Sequence, residues 1–330
     1  MKQRLADNIS LVAQTPGLDA GAIEVVVTVP TFRRPEHLVR TLDSLKAQTT
    51  ERPFAVIVIE NEAEERAGAR AVADLFEDGT HKGLVIVAHD RGNCHAYNAG
   101  WFTALTAFAN LRALCVIDDD EIASPGWIEA LCATSARFDA ALVGGPQLPV
   151  FETGSNGKWT RHPVFTPHYH ATGPVPALFS SGNLLVRRDV LQAMAQPFFD
   201  PVFNFTGGGD ADFLARARDA GFTAAWCQEA AVRESIPRTR VSRRWIRDRA
   251  LRNGQLSALI AHRRRANARL GRVTTIAESL ALALAALPRA LAGFARSGCL
   301  LNALYPVHIA AGRILSEFGY AHEQYRNPAD

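Results

Sequence analysis

Four consecutive acidic residues, Asp118, Asp119, Asp120 and Glu121, follow directly behind the apolar run ALCVI at residues 113–117. Like charges at this density repel one another, so a folded chain needs a counter-charge to hold them together. Carboxylate oxygens suit hard divalent cations such as Mg²⁺ or Mn²⁺, which often bind one or two carboxylates together with substrate phosphate oxygens. The cluster therefore indicates a divalent-cation site. A cap on the following helix is the structural alternative, because acids favour helix N-termini.

The elements around this cluster alternate between apolar runs and amphipathic segments. Strands are predicted over residues 23–30, 54–61, 83–90 and 113–121, and helices over residues 35–48, 64–77, 95–109 and 124–138. Ser124 and Pro125 suit the N-cap and first position of the last of these helices. Such alternation predicts βαβ units and a mostly parallel sheet, in which ligands bind outside the carboxyl ends of the strands. Polar and acidic residues should therefore converge on one crevice.

The second half has a different pattern. Strands are predicted over residues 140–150, 178–188 and 224–234, helices over residues 210–221 and 241–265, and a long loop over residues 151–176. The Ala- and Leu-rich tail at residues 276–317 has no uncharged run of the roughly 20 residues that a spanning helix needs. It predicts either a helical pair packed on the domain or an element lying on a bilayer. The fold class is α/β with a C-terminal helical extension.

Composition and charge narrow the class of partner. The chain has 330 residues, 48% of them hydrophobic, and a formal net charge of +3. Thirteen arginines lie between Arg233 and Arg272, against the two acids Glu234 and Asp248. This block indicates an anionic partner, such as substrate phosphates, a membrane surface or nucleic acid, or else a solvated helix face. The five cysteines form no Cys-x-x-Cys pair and MKQRLADNIS lacks a signal peptide's apolar region, so a cytoplasmic location is expected.

Six short motifs follow one another in a characteristic order. They are VPTFRRPEHLVRTLDSLKAQ, VIVIEN, RGNCHAYNAG, CVIDDDEIASPGWIEAL, SSGNLLVRRDVL and GGGDADFLARARDAGF. Their order resembles the family 2 glycosyltransferases of the GT-A fold over residues 23–255, and is similar to the branch that builds bacterial exopolysaccharide on lipid carriers. The resemblance implies a Rossmann-like, mostly parallel sheet flanked by helices. It also implies a nucleoside-diphosphate-sugar donor, a glycan or lipid-linked oligosaccharide acceptor, and a divalent cation.

The resemblance implies a donor site at the ends of the first four strands. The implied nucleotide-binding residues are Pro30, Thr31, Arg33, Glu60, Asn61, Asp90, Arg91, Asp118 and Asp119. Glu60 stands where the family usually has Asp. Residues 118–120 match the family's Asp-x-Asp motif, which makes Asp120 the implied metal ligand, with Asp118 beside it near the ribose. Arg238 and Arg240 lie in a segment that similar enzymes place over the donor phosphates, and guanidinium groups suit phosphate oxygens. Glu234 lies near where family members often have a metal-binding histidine.

On the acceptor side, Asp210 matches the acid that supplies the family's general base. Gly209 stands where the family usually has Glu, and Asp212 is an alternative base. A helix N-cap is the structural alternative for Asp210. Ser181, Gly182 and Asn183 either border the sugar and acceptor or form a tight turn. The implied reaction is an inverting transfer, in which Asp210 takes a proton from the attacking hydroxyl.

The implied organisation has three parts. Residues 1–22 form an N-terminal extension and residues 23–265 form the catalytic domain, with a nucleotide-sugar half at 23–121 and an acceptor half at 122–265. Residues 266–330 form the helical extension, and residues 233–317 are the candidate region for peripheral contact with the inner face of the membrane. The histidines of the loop are expected near the acceptor cleft: His162, His168 and His170. Trp127 and Trp245 either stack on a sugar or base or belong to the core.

Two other classes of function compete with sugar transfer. A nucleotidyltransferase or phosphohydrolase also gathers aspartates at strand ends around Mg²⁺, and would release pyrophosphate or inorganic phosphate. An arginine-rich module for anionic ligands would show steep salt dependence of binding and no effect of a change at Asp210. It leaves the acids unexplained, and close acids would repel nucleic-acid phosphates unless a cation intervened. No nucleic-acid partner is therefore expected.

Overall fold

The structure is a computed structural model that describes residues 6–154 and 159–320. It divides into two compact units. The first unit runs to Leu148 and includes His168–Asn204 and Gly209–Glu234, and the second comprises Pro149–Pro167, Phe205–Gly208 and the chain from Ser235 onward.

Twelve strands are present in the described residues, and they form two sheets. In chain order they are β1 Ile9–Gln14, β2 Val25–Thr31, β3 Phe54–Glu60, β4 Gly83–Ala88, β5 Ala113–Ile117, β6 Glu121–Ala123, β7 Leu142–Gly144, β8 Gln147–Phe151, β9 Gly173–Val175, β10 Asn183–Arg187, β11 Ala224–Trp226 and β12 Val232–Ile236. Nine of them form one sheet in the order β1-β4-β3-β2-β5-β10-β7-β11-β9, and the others form a small sheet in the order β6-β12-β8.

Nine α-helices are present in the same residues. Six lie in the first unit: α1 Pro35–Lys46, α2 Ala67–Glu77, α3 Asn93–Ala107, α4 Trp127–Phe138, α5 Arg188–Ala193 and α6 Gly209–Asp219. Three lie in the second unit: α7 Arg243–Arg264, α8 Gly271–Ser297 and α9 Leu300–Glu317.

The N-terminal half of the large sheet has the parallel order that the sequence predicts. Strands β4, β3, β2 and β5 pair in parallel, and their alternating helices cover a core of fully buried valine, isoleucine and leucine side chains. Runs buried on both faces are typical of parallel sheets. The predicted α/β fold class is confirmed, with antiparallel pairings where β10 lies between β5 and β7. The parallel arrangement brings the carboxyl ends of β2, β3, β4 and β5 to one edge of the sheet.

Three local predictions are corrected by the structure. Residues 9–14, for which no strand was predicted, form β1 and pair antiparallel with β4 at the edge of the sheet. Helix α4 begins at Trp127 after Gly126, so Ser124 and Pro125 lie in the preceding turn and do not cap it. The single strands predicted over residues 140–150 and 224–234 are each two short strands, β7 with β8 and β11 with β12, and the two members of each pair belong to different sheets.

The second unit contains the predicted Arg-rich helix and the tail helices. The Ser242 hydroxyl caps α7 by accepting a hydrogen bond from the backbone N–H of Trp245 at 3.1 Å. Aromatic and aliphatic side chains form a small core in this unit, and Phe151, Phe165, Ile236 and Ile246 are its buried members. Helix α9 packs against both α7 and α8. The tail therefore forms a packed helical pair, which is the first of the two forms predicted for it.

Candidate active site

The acidic cluster lies at the carboxyl end of β5 and is held by polar groups from β2 and α1. Asp119 accepts a hydrogen bond from the Thr31 hydroxyl at 2.8 Å. The Arg34 guanidinium, at the N-cap of α1, lies 2.9 Å from Asp120 Oδ2 and 3.5 Å from Asp119 Oδ1. The Thr41 hydroxyl donates to the Asp119 carbonyl at 2.8 Å. The cluster is therefore a built site, in which the Arg34 guanidinium forms ion pairs with Asp119 and Asp120.

Asp118 is held from the other side of the sheet end. The Tyr97 hydroxyl, on α3, donates a hydrogen bond of 2.7 Å to Asp118 Oδ1. The Asp118 backbone N–H donates to Glu121 Oε2 at 3.0 Å, and Glu121 Oε1 accepts from Gln147 at 2.6 Å. Because the Glu121 side chain is fully buried and bonded to the scaffold, it supports the Asp118 backbone and does not face a ligand.

Burial and mutual repulsion make the cluster electrostatically costly. Burial, together with the negative charges of Asp120 and Asp210, raises the pKa of Asp118 to about 6. Burial also raises the pKa of Asp119 to about 7, although the Arg34 charge acts in the opposite direction. Carboxylates that are this poorly neutralised are stabilised by a further positive charge. The cluster therefore gains from an added cation.

The donor set fits a divalent cation completed by substrate oxygens. In the described residues, no group of three or more His, Cys, Asp or Glu side chains forms a complete metal cage. Mg²⁺ and similar ions commonly use one or two carboxylates, with phosphate oxygens and water supplying the other ligands. Asp118 and Asp120 can supply that pair from one strand end. A site of this kind forms fully only when the substrate brings its phosphates.

Several predicted nucleotide-binding residues lie in the loops that follow β2 and β4 at the same edge of the sheet. Arg33 lies in the left-handed region with φ of 56° and forms an ion pair of 2.6 Å with Glu62. The Arg33 and Arg91 guanidinium groups lie 5.2 and 5.4 Å from the centre of the Phe32 ring. Pro30, at the end of β2, is half-buried. These contacts bring Arg33 and Arg91 together with Phe32 and Glu62, and nucleotide binding by these residues stays a prediction.

Asn61 organises the loop that carries Asp90 and Arg91. Its side-chain amide donates to the Asp90 carbonyl at 2.8 Å, and its Oδ1 accepts from the Gly92 backbone N–H at 2.8 Å. The exposed Asp90 carboxylate accepts a hydrogen bond of 2.8 Å from Asn8. Asn61 therefore shapes this edge of the site through its side chain, while Asp90 is exposed and accessible.

Glu60 is placed differently from what a direct contact with the nucleoside requires. Its carboxylate is completely buried and accepts hydrogen bonds from three backbone N–H groups, those of Glu62 at 2.9 Å, Gly68 at 2.8 Å and Ala69 at 3.1 Å. Helix α2 has no side-chain cap of its own, since Arg66 occupies the N-cap position. Glu60 therefore supplies the missing acceptors at the start of α2. Because the carboxylate is completely buried, a nucleoside could reach it only if the surrounding residues moved.

We expect Glu60→Gln to destabilise the fold. The glutamine NH₂ group would face backbone N–H donors, leaving one or two of them without an acceptor, which costs about 1–3 kcal/mol. Urea unfolding at pH 7 measures the free energy of unfolding. The control is Glu65→Gln, a solvent-exposed acid in the following loop. Equal stability of the two variants would contradict the capping role.

The predicted catalytic residue, Asp210, lies in the first turn of α6. Its Oδ1 accepts a hydrogen bond of 2.8 Å from the Ala211 backbone N–H. Its negative charge raises the pKa of Asp118, and together with burial it helps to raise the pKa of the Cys94 thiol to about 12. Gly209, the residue before Asp210, lies against the Cys94 thiol on α3, and Tyr97, one turn further along α3, binds Asp118. Asp210 therefore lies on the same side of α3 as the acidic cluster. Asp212, the alternative base, is buried in an ion pair of 2.8 Å with Arg216.

The Ser181-Gly182-Asn183 segment borders Asp118. A Cβ atom on Gly182 would lie 2.8 Å from Asp118 Oδ2, so a larger residue here would displace the Asp118 carboxylate. The buried Asn183 side chain donates to the Pro146 and Ala230 carbonyls at 3.2 and 2.7 Å. Its Oδ1 accepts from the indole N–H of Trp127 at 2.8 Å. Asn183 and the fully buried Trp127 are therefore scaffold residues, and Gly182 is the member of this segment nearest the acids.

The remaining candidates divide between the two units. Arg238 and Arg240 lie in a short 3₁₀ turn of the second unit, and their contact with a diphosphate stays a prediction. His162, predicted to lie near the acceptor cleft, is instead fully buried between the Phe165 and Tyr305 rings of the second unit. Burial lowers its pKa to about 4. His168 packs on the Phe179 ring in the first unit, and Trp245 stacks on the Phe165 ring in the second. Glu234 lies opposite Glu121 in the antiparallel register of β12 and β6.

Sequence reasoning missed Tyr97, Arg34 and Gln147. Tyr97 and Arg34 lie within the motifs RGNCHAYNAG and VPTFRRPEHL, but no spacing rule distinguishes them from their neighbours. Their roles depend on side-chain contacts of α3, α1 and β8 with the end of β5.

The family match decides how this site is classified. Residues 26–194 match the sequence profile described as Glycosyl transferase family 2. The chain is also 32% identical over 250 residues to the succinoglycan biosynthesis protein ExoM of Rhizobium meliloti (strain 1021), covering 71% of this chain and 74% of ExoM. The chain belongs to glycosyl transferase family 2. It is a glycosyltransferase, which confirms the resemblance drawn from the motifs.

Further similarities agree with this family and with the fold. The chain is 34% identical over 131 residues to the glucosyl-dolichyl phosphate glucuronosyltransferase of Haloferax volcanii, covering 38% of each chain. The structure of S. aureus TarS 1-349 aligns with a TM-score of 0.53 at 13% identity, covering 90% of this chain and 92% of TarS 1-349. That of GalNAc-T7 with UDP, GalNAc and Mn²⁺ aligns with a TM-score of 0.51 at 12% identity, covering 65% of this chain and 44% of GalNAc-T7. The fold is therefore GT-A-like.

Proposed function

We propose that this glycosyltransferase moves a sugar from a nucleoside-diphosphate-sugar donor to a hydroxyl of a glycan or lipid-linked acceptor, with inversion at the anomeric carbon. The observation that carries the proposal is the cluster of Asp118, Asp119 and Asp120 at the carboxyl end of β5, held by Tyr97, Thr31 and Arg34 on a chain of glycosyl transferase family 2. One side of this site is suited to a cation and a diphosphate, and the other offers a carboxylate that can take a proton. The similarity to ExoM, a succinoglycan biosynthesis protein, supports an exopolysaccharide acceptor.

Asp120 and Asp118 would hold a divalent cation, Mg²⁺ or Mn²⁺, together with the donor diphosphate. Such an ion, when bound, offsets the negative charge that develops on the leaving nucleoside diphosphate. Tyr97 fixes Asp118 through its hydrogen bond, and Thr31 fixes Asp119. Arg34 neutralises part of the cluster between reactions. The GalNAc-T7 complex with UDP and Mn²⁺, on a similar fold, supports a metal-dependent donor site.

Asp210 is the proposed general base. As the acceptor oxygen forms its bond to the anomeric carbon, the bond from that carbon to the diphosphate oxygen breaks, and the acceptor proton passes to Asp210. The nucleoside diphosphate carries away the bonding electron pair. Asp212 is a weaker candidate, because its carboxylate is buried against Arg216. Arg238 and Arg240 are retained as candidate contacts of the diphosphate, and Ser181 and Gly182 as neighbours of the transferred sugar.

Residues 23–121 would bind the donor and residues 122–265 the acceptor. In the donor half, Asp90 and Arg91 are accessible to the nucleoside, and Asn61 shapes the loop that presents them. We further propose a cytoplasmic location, on the inner side of the membrane. All five cysteines are free thiols, which agrees with a reducing compartment.

Calorimetric titration with UDP, GDP, dTDP and CDP, each with and without Mn²⁺, tests the donor site. We expect one nucleotide to bind at least about tenfold more tightly with Mn²⁺, because its diphosphate and the acids share the ion. The complexes of TarS with UDP and UDP-GlcNAc make UDP the first nucleotide to titrate. Failure of all four nucleotides with a folded sample would contradict the proposal. Release of inorganic phosphate or pyrophosphate from the donor would identify a phosphohydrolase or nucleotidyltransferase instead.

A further inference from the structure

Helix α8 exposes a continuous apolar stripe, here called the α8 leucine face. Its members and their exposed fractions are Val273 61%, Leu280 54%, Leu284 81%, Leu287 64%, Leu291 64% and Phe294 48%. Spacings of three, four and seven residues place these side chains on one side of the helix. From Leu280 to Phe294 the stripe runs for roughly 21 Å at 1.5 Å per residue. An apolar patch of this length on a soluble surface indicates an interaction site.

An adjacent side of α8 is packed inside the second unit. Thr275, Ser279, Ala286 and Ala290 are buried there, and small residues of this kind allow close approach of α9. The buried Arg313 of α9 donates from Nε to the Ser279 hydroxyl at 3.2 Å. One side of α8 is therefore already occupied by protein with a polar contact, and the large apolar side chains of the leucine face are exposed beside it.

This one-sided packing favours a helix in the plane of a bilayer over one that crosses it. In the described residues, one helix segment, Gly271–Ala295, is long and apolar enough to cross a membrane by length and composition alone. Crossing would carry α9 and its buried Arg313 into hydrocarbon, where charged groups are costly. Lying in the interface places only the leucine face in the acyl region.

The charge of the surrounding chain distinguishes a lipid surface from a second copy. Residues 249–316 contain ten arginines and one acid, Glu278, which is paired with Arg265. Arg269 and Arg272 are exposed at the start of α8, and Arg289 is exposed within it. A second copy would bring like charges together, whereas anionic headgroups complement them.

We propose that the α8 leucine face lies in the plane of an anionic lipid bilayer, with Arg269 and Arg272 contacting the headgroups. The proposal deepens the proposed function, since a lipid-linked acceptor would be presented at such a surface. The proposed function explains why the protein would bind lipid. Lipid binding itself does not depend on that function, because it requires neither donor nor metal.

Flotation of the full chain with vesicles tests the proposal. The vesicles are made of phosphatidylcholine alone or with about one-third phosphatidylglycerol, and the variants are Leu284→Glu and Arg269→Gln/Arg272→Gln. We expect the wild type to bind the anionic vesicles, Leu284→Glu to bind at least about tenfold less, and the arginine variant to lose mainly the preference for anionic lipid. The matched control is Val202→Glu, which places the same charge at an apolar side chain that is 57% exposed in the first unit. It should bind as the wild type does.

Three outcomes would overturn the proposal. The first is absence of wild-type binding to anionic vesicles, and the second is equal binding by Leu284→Glu with an unchanged circular dichroism spectrum. The third is a wild-type protein that binds no vesicles and is a dimer by light scattering, with the dimer lost in Leu284→Glu. That result would assign the α8 leucine face to contact with a second copy of the chain. Nucleotide titration of the same samples separates the two proposals: unchanged nucleotide binding with no vesicle binding removes only the lipid surface.

Discussion

Asp210→Asn should reduce kcat by about 10²–10⁴-fold, the range that general-base catalysis contributes, while donor affinity stays within about twofold. Asparagine keeps an oxygen for the Ala211 backbone N–H, so the first turn of α6 and the fold should be retained. It cannot take a proton from the attacking hydroxyl. The measurement is nucleoside diphosphate release, with a lipid-linked glycan extract supplying the acceptor, alongside calorimetry of nucleotide binding.

The matched control is Asp219→Asn, at the other end of the same helix. Its side chain is 42% exposed, and its ion pair with Arg218 is long, at 3.9 Å. Exposed pairs of this kind contribute little to stability, so this variant should keep both turnover and donor affinity. Wild-type turnover by Asp210→Asn would remove the general-base assignment. Loss of donor binding in that variant would instead place Asp210 in the donor site.

The topology of the site could be predicted from sequence because it follows from strand order. A parallel sheet brings the ends of β2, β3, β4 and β5 to one edge, and the residues after apolar runs are easily read. The positions of Thr31, Asn61 and Asp118 follow from this rule.

Side-chain partners could not be predicted in the same way. Glu60 ends β3 where a donor-site acid is expected, but the N-terminus of α2 lacks a cap and takes up its carboxylate. That competition depends on the distance between a strand end and a helix end, which no local pattern encodes. The Tyr97 contact with Asp118 likewise depends on how α3 packs against β5.

The short strands were missed for a related reason. Strand β1, residues 9–14, is stabilised as an edge strand by its antiparallel ladder with β4, a partner more than seventy residues away. Segments of this length have weak local preferences, so tertiary pairing decides their conformation. The predicted loop at residues 151–176 lacks regular structure over most of its described length, because its turns leave few residues for a ladder.

The Arg34 guanidinium raises a specific question about the metal, because it already occupies Asp120 Oδ2 at 2.9 Å. If a divalent ion joins the donor to this carboxylate, Asp120 must exchange a monovalent partner for a divalent one when the diphosphate arrives. A divalent ion would favour this exchange on electrostatic grounds, since burial and the neighbouring acids raise the pKa of both Asp118 and Asp119. An arginine can also serve as a permanent counter-charge for a diphosphate. The two arrangements predict different effects of Mn²⁺.

Asp120→Asn should therefore abolish the Mn²⁺-dependent part of nucleotide binding, reducing affinity at least about tenfold with the ion and little without it. Asparagine retains the shape of the side chain and an oxygen that can accept from Arg34, but it lacks the charge that holds a divalent ion. Calorimetric titration with and without Mn²⁺ measures both affinities. The control is Asp74→Asn, an exposed acid on α2, which should bind as the wild type does. If wild-type affinity is the same with and without Mn²⁺ and Asp120→Asn leaves it unchanged, the metal site is contradicted and Arg34 is the counter-charge of the cluster.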